Sequence, residues 1–283
     1  LAPEDPPLGR RPLDPAVDTA ANAVRRHLVL DPGRSAPLLD RVPDAAHAAV
    51  PDVLLTALAA AVRRWRTECG LPAGDDVLVE VEGHGRADLG THRDLSRTVG
   101  WFTSMHPVRL AAGPGDGPVD ALLRVKEQLR ATPADGIGFG LLRHLNDGTR
   151  AELRALRRPQ ILFNYLGRLP GRGSGDWSPV TADALLHDGR DPRMPASHGL
   201  TVDVLVREVG QGPRVEAAWT APEGWLPPAG LDRLCALWTQ ELDRLAEAAA
   251  RQAVSRHSPS DFLLAGLTQA EVDELEAELE RWA

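Results

Sequence analysis

The sequence is short of lysine, aromatic residues and cysteine. Lys126 is the only lysine among 32 basic residues, so almost every cation is an arginine. With its high Ala, Leu, Pro and Gly content, this reads as the bias of a GC-rich coding sequence and carries no function. A formal net charge of −8 argues against a broad electrostatic footprint for nucleic acid, and no nucleic-acid partner is expected. Cys69 and Cys235 lie far apart, without a CxxC or metal-type neighbour. Two free thiols in a reducing cytoplasm are the expectation. His84, His92 and His106 are too loosely spaced, and too poor in neighbouring ligands, for a metal to be expected.

Long apolar runs are missing too. A stretch such as Val53–Val62 falls far below the roughly 20 residues of a spanning helix, so no membrane association is expected. The N-terminus, Leu1-Ala-Pro-Glu-Asp-Pro-Pro, has neither a basic nor an apolar targeting region. It also lacks an initiator Met, as a fragment or processed product would. No internal repeat is present. What remains is a globular composition, 43% hydrophobic and 25% charged over 283 residues, enough for one large domain or two lobes.

Strand and helix patterns alternate along the chain, which predicts an α/β or α+β class with a mixed sheet flanked by helices. Residues 1–20 are rich in Pro, Asp and Arg without periodicity and read as a linker or extended lead-in. Residues 21–255 form the main unit, and 256–283 a C-terminal linker with an amphipathic helix. Within the main unit, His27–Leu30 predicts a short strand, and Ser35–Val42 a short helix with Ser35 as N-cap. Asp52–Cys69 has strong helical periodicity in Val53, Leu54, Leu58, Val62 and Trp65.

Asp75–Glu82 alternates as a strand, with Val77, Val79 and Val81 on one face and Leu78, Glu80 and Glu82 on the other. Two carboxylates thus share a face near the strand's end. Val99–Leu110 reads as extended, Val119–Arg130 as a helix ending at Pro133, and Gln160–Leu166 as a buried strand. A glycine-rich loop is expected over Gly167–Asp176. Leu200–Arg207 and Val215–Thr220 predict a hairpin, and Leu231–Ala250 a long helix. Thr268 and Glu271 form a T-x-x-E capping box for a last helix with the stripe Val272, Leu275, Leu279 and Trp282. That helix could dock a neighbouring domain or fold back on its own lobe.

Four short segments follow one another in a fixed order: Glu82-Gly-His-Gly-Arg86, Arg97-Thr-Val-Gly-Trp-Phe-Thr-Ser-Met-His-Pro107, Pro133-Ala-Asp-Gly-Ile-Gly-Phe-Gly140 and Phe163-Asn-Tyr-Leu-Gly167. They resemble, in turn, the EGHGRE, RTVGWFTxxYP, PxxGxGYG and FNYLG motifs of epimerization-type domains. Those domains belong to the condensation superfamily of non-ribosomal peptide synthetases. The resemblance covers nearly the whole chain. It implies a lobe with the chloramphenicol-acetyltransferase-like fold, the second of two pseudo-symmetric lobes around a tunnel.

It also implies partners: a preceding N-terminal lobe, and a peptidyl carrier protein whose phosphopantetheine carries the substrate as a thioester. No cofactor would be bound by this lobe. By the same resemblance, Glu82 is the catalytic candidate, working on an α-proton opposite a histidine of the first lobe's HHxxxDG motif. His84, Arg86, Trp101, Asn164 and Tyr165 are candidates for positioning the substrate or its phosphopantetheine arm. Asn164 and Tyr165 alternate along a strand, so only one of them can face the tunnel. His84 reads equally well as a turn histidine bonding its own backbone.

The departures from the pattern are as informative. No His-His pair occurs, and His187-Asp-Gly189 has one histidine at the wrong spacing. Ala87 stands where the motif ends in Glu, with Asp88 following, and His106 stands where Tyr is usual. The altered Ala87 and His106 also fit the family's non-catalytic relatives, which recruit haem monooxygenases in glycopeptide-antibiotic synthetases. Gly136, Gly138 and Gly140 follow a helix and a proline, not a strand, so a tight close-packed turn is expected there rather than a nucleotide loop.

Overall fold

A computed structural model describes residues 5–86, 94–95, 97–111, 113, 117–169, 191–252, 255–262 and 264–282. Six strands build one mixed sheet: β1 (Ala23–Val29), β2 (Val77–Gly83), β3 (Ser104–Leu110), β4 (Ile161–Leu169), β5 (Leu200–Val209) and β6 (Gly212–Pro222), in the order β1-β6-β5-β4-β2-β3. The centre, β2-β4-β5, is parallel, and the outer pairings are antiparallel. The helices are α1 (Pro32–Leu39), α2 (Arg41–Ala46), α3 (Val50–Glu68), α4 (Pro118–Arg130), α5 (Ile137–His144), α6 (Asp147–Ala155), α7 (Pro228–Arg251) and α8 (Gln269–Trp282).

Period-two alternation gives the sheet two unlike faces. Val77, Val79, Ile161, Phe163, Val202, Val204, Ala217 and Trp219 all point into one core and are essentially fully buried. The apolar stripes of α3, α4 and α7 close that core; Trp238 of α7 meets Trp219 edge-on and donates from its indole to Leu54 O at 3.2 Å. Each large side chain buried here contributes roughly 1.5–3 kcal/mol relative to exposure. The other face carries the polar alternates: Glu80 and Glu82 on β2, Asn164 on β4, Asp203 on β5 and Glu216 on β6.

The lead-in packs against the main unit. Arg66, wholly buried on α3, pairs with Asp5 at 2.9 Å, and Leu8 donates its backbone N–H to Gln160 Oε1 at 2.9 Å. At the other end, the tail folds back onto the same lobe. Buried Lys126 of α4 reaches Asp261 and donates to Ala46 O at 2.9 Å, while Ser258 donates to Glu127. The T-x-x-E capping box forms, with Thr268 N donating to Glu271 at 2.7 Å and Glu271 N to Thr268 Oγ1 at 3.4 Å. Of the stripe, Val272 is buried and Leu275 exposed.

Several expectations need correcting. Ser35 is no N-cap: α1 begins earlier, capped by Asp31, whose side chain accepts from Arg34 N. Ser35 is buried instead, donating to Leu30 O at 3.0 Å and accepting from Val215 N at 2.9 Å. Gly138 and Gly140 lie inside the helix α5, not in a turn, and α6 has no counterpart in the sequence reading. Glycine's poor helix propensity hides α5 from a pattern search, and packing overrides it. The extended stretch at 99–110 is regular only from Ser104. Residues 170–176 of the glycine-rich loop, His187-Asp-Gly189, Ala87, Asp88 and His92 lie outside the described residues.

Candidate functional site

The four ordered segments, spread over more than eighty residues of chain, meet at one end of the sheet. β2 and β4 run parallel with Glu82 directly opposite Asn164, which joins the first segment to the fourth. β2 and β3 are antiparallel, with Glu82 opposite Met105 and Gly83 opposite Ser104, which joins the first to the second. The third arrives through Gly136, which packs against the ring of His106. The carboxyl ends of parallel strands, where this cluster sits, are the usual place for a ligand site in such sheets.

Across the polar face the register runs Glu82, Asn164, Asp203, one residue on each of three adjacent parallel strands. All three are partly exposed or lie at the edge of the buried layer. Asn164 Nδ2 donates to Asp203 Oδ1 at 3.3 Å. Tyr165 points to the opposite face and packs half-buried against the core, so of the Asn164–Tyr165 pair it is Asn164 that shares Glu82's side. Burial raises the Tyr165 phenol above its ordinary value. β4 then breaks register between Tyr165 and Arg168, and Gly167, at φ +81°, supplies the left-handed residue for this irregularity.

The glycines of the first segment have a geometric reason. Gly85 has φ +59°, and a Cβ there would lie 1.5 Å from Phe102 O. That approach lets Arg86 reach over the second segment, donating to Leu95 O and, at 2.9 Å, to Thr98 O. Its guanidinium lies 4.3 Å from the Phe102 ring centroid, a cation–π contact. Arg86 therefore clamps the Arg97–Pro107 segment. His84 is exposed, and its Nδ1 accepts from Arg86 N at 2.9 Å, the arrangement of a turn histidine. Trp101 is 90% exposed, and the structure does not bring it into the cluster.

His106 opposes Val81 across β2 and β3, so it is buried on the core face of the sheet, the face opposite that of Glu82, and its Nδ1 has no hydrogen-bond partner among the described residues. Burial holds the imidazole below its usual range, against the opposing pull of Asp135 and Glu80. A Cβ on Gly136 would fall 2.0 Å from Nδ1, and φ there is +76°. The expected close-packed turn is thus real at Gly136 alone.

One pair went unseen in the sequence. Glu80 is the carboxylate next below Glu82 on the same face of β2, and its Oε2 lies 2.7 Å from Nε2 of buried His198. His198 Nδ1 in turn meets Ser197 Oγ at 3.0 Å. The hydrogen bond from His198 is the main cause holding the Glu80 carboxyl below its ordinary value, with Arg158 and Arg143 adding in the same sense. Its one signal in sequence was the shared face of Glu80 and Glu82. A cavity of about 430 Å³ lies instead in the helical layer between α3 and α7, where Arg64 and Arg244 are both engaged with Glu241.

A mixed sheet with helices packed on one face and a polar cluster at the ends of its parallel strands defines an α/β lobe of the condensation-domain type. The family model for the condensation domain matches residues 10–184, and the chain belongs to that family. It is 33% identical over 273 residues to a linear gramicidin synthase protein of Brevibacillus parabrevis, covering 96% of this chain and 5% of that protein. Chondramide synthase of Chondromyces crocatus is 34% identical over 273 residues, covering 94% and 6%.

Among solved structures, the epimerization domain from the third module of tyrocidine synthetase B superposes with a TM-score of 0.73 at 24% identity, over 89% of this chain and 53% of that one. The X-domain from teicoplanin biosynthesis gives 0.54 at 19% identity, over 89% and 52%. The chain therefore spans a small fraction of the synthetases it matches and about half of each of these domains. The fold is the chloramphenicol-acetyltransferase-like one that the motifs implied.

Proposed function

We propose that the chain is the C-terminal lobe of an epimerization domain in a non-ribosomal peptide synthetase, and that it supplies one of two acid–base groups. The observation that carries this reading is the β2–β4 register, which brings Glu82 and Asn164 side by side from two motifs far apart in the chain. The substrate would be an aminoacyl or peptidyl thioester on the phosphopantetheine of a carrier protein. The other group would be a histidine of the preceding lobe.

The chemistry needs opposed groups. An α-hydrogen beside a thioester is weakly acidic, so its removal calls for a positioned base, and inversion calls for a proton donor on the opposite face. The Glu82 carboxylate takes the α-proton of one configuration, and the C–H electron pair passes into the thioester carbonyl as an enolate. The opposed histidine returns a proton to the other face of the α-carbon. No bond to the carrier breaks, and the step is redox-neutral.

The test is solvent-deuterium uptake at the α-carbon of a carrier-bound thioester, by the synthetase segment holding both lobes. The expected result is uptake from both configurations by the native protein and its loss from one of them in Glu82→Gln. Uptake that is absent from the native protein, or unchanged by Glu82→Gln, contradicts the reading.

A second reading rests on His106, a buried imidazole where the catalytic motif has Tyr, its Nδ1 without a partner among the described residues. In it the domain is non-catalytic and docks haem monooxygenases. A two-lobed protein that exchanges no α-proton but retains a haem monooxygenase in a pull-down supports this second reading; retention of none counts against it.

A further inference from the structure

Asn164 has two chemically different ends, and the structure commits one of them. Its Nδ2 donates to Asp203 Oδ1 at 3.3 Å, from β4 to the next parallel strand β5. A carboxylate only accepts hydrogen bonds, so the amide nitrogen is the end that must face Asp203. The carbonyl oxygen then diverges from it on the planar carboxamide, towards the side where Glu82 stands in register on β2. Neighbouring strands are about 4.8 Å apart, within the reach of side chains in register on one face.

We propose that Asp203 is a positioning residue of this site: it fixes the Asn164 carboxamide with the nitrogen towards β5 and the carbonyl oxygen towards Glu82 and the substrate. The chemical use follows from what Glu82 must do. When Glu82 has taken a proton it becomes a donor, and a carbonyl fixed beside it gives that proton an acceptor. An amide free to flip would present N–H groups there half the time, favouring the carboxylate and blurring the geometry. The catalytic consequence rests on the epimerization reading, whereas the orientation itself does not.

Two readouts separate these levels. The first uses the chain itself, with nitrogen-15 spectra of the Asn164 side-chain amide assigned by its loss in Asn164→Ala. The expected pattern is two slowly exchanging NH₂ resonances, shifted and faster-exchanging in Asp203→Leu and retained in Asp203→Asn, whose carbonyl still accepts. The second uses the two-lobed protein and α-deuterium uptake. Asp203→Leu should lower kcat by roughly tenfold to a hundredfold with KM little changed, the scale of a small misplacement of a catalytic group. Asp203→Asn should recover most of the rate.

Asn164 amide signals indifferent to Asp203→Leu overturn the proposed orientation. Signals that respond while kcat is unchanged, or while only KM rises, overturn the positioning role. A native two-lobed protein without uptake refutes the epimerization reading and leaves the amide spectra to decide the orientation.

Discussion

Glu80 Oε2 lies 2.7 Å from His198 Nε2, both side chains buried, and this pair ties the stretch leading into β5 to β2 just below Glu82. A hydrogen-bonded acid–imidazole pair of this kind is costly to break on one side, because the remaining partner stays buried without its match. His198→Ala should therefore lower stability by about 3 kcal/mol, read from urea denaturation at neutral pH. A loss below half of that would mean that water or Arg143 and Arg158 satisfy Glu80 unaided.

The same pair sets a pH dependence. The Glu80 carboxyl is held below its ordinary value, so the folded protein binds that proton less readily than the unfolded chain. Its contribution is complete above the ordinary carboxylate value of about 4.5 and is lost as pH falls through the lower folded value. The stability gap between native protein and Glu80→Gln should be open above pH 5 and close progressively below it. A gap constant from neutral pH to pH 3 would contradict this.

His106 acts in the same direction at a higher pH. Burial lowers its proton affinity in the fold, so stability is complete above the ordinary histidine value of about 6.5 and declines as pH falls below it. Asp135 and Glu80 oppose the shift and moderate the decline. His106→Tyr, restoring the residue usual in the motif, should remove this step from a thermal-unfolding series between pH 7.5 and 5. Persistence of the step would assign it to another group.

Two glycines of one motif should respond oppositely to alanine. At Gly136 a Cβ meets the His106 ring and a left-handed backbone, so Gly136→Ala should cost about 2–4 kcal/mol. Gly138 is helical with open space around it, and Gly138→Ala should stabilise by roughly 0.5–1 kcal/mol. Equal effects at the two positions would contradict the distinction between turn and helix.

What could be read from sequence depended on how local its signal was. The β2 alternation, the hairpin of β5 and β6 and the Thr268–Glu271 cap rest on residues a few positions apart, where a periodic pattern or a hydrogen-bonding motif is visible. The Glu80–His198 pair spans 118 positions: the alternation of β2 marks Glu80, but no pattern singles out His198 as its partner. Asp203 was hidden for the same reason, inside a strand that otherwise reads as buried and apolar. Ser35 misled because a hydroxyl near a helix start usually caps it, whereas this one bridges Leu30 and Val215 in the core. Arg86 could be placed near the site by its motif, but its clamp on Leu95, Thr98 and Phe102 needed the fold.

The role of Glu82 is tested most directly by following both configurations of a carrier-bound thioester in deuterated solvent, with native and Glu82→Gln two-lobed protein side by side. If Glu82 is one of two opposed acid–base groups, the native protein brings both configurations to a common ratio with α-deuterium incorporated. Glu82→Gln should then slow interconversion by about a hundredfold to ten-thousandfold, the usual share of one general base, and confine any residual deuterium uptake to one configuration. Interconversion by Glu82→Gln at the native rate would contradict that role.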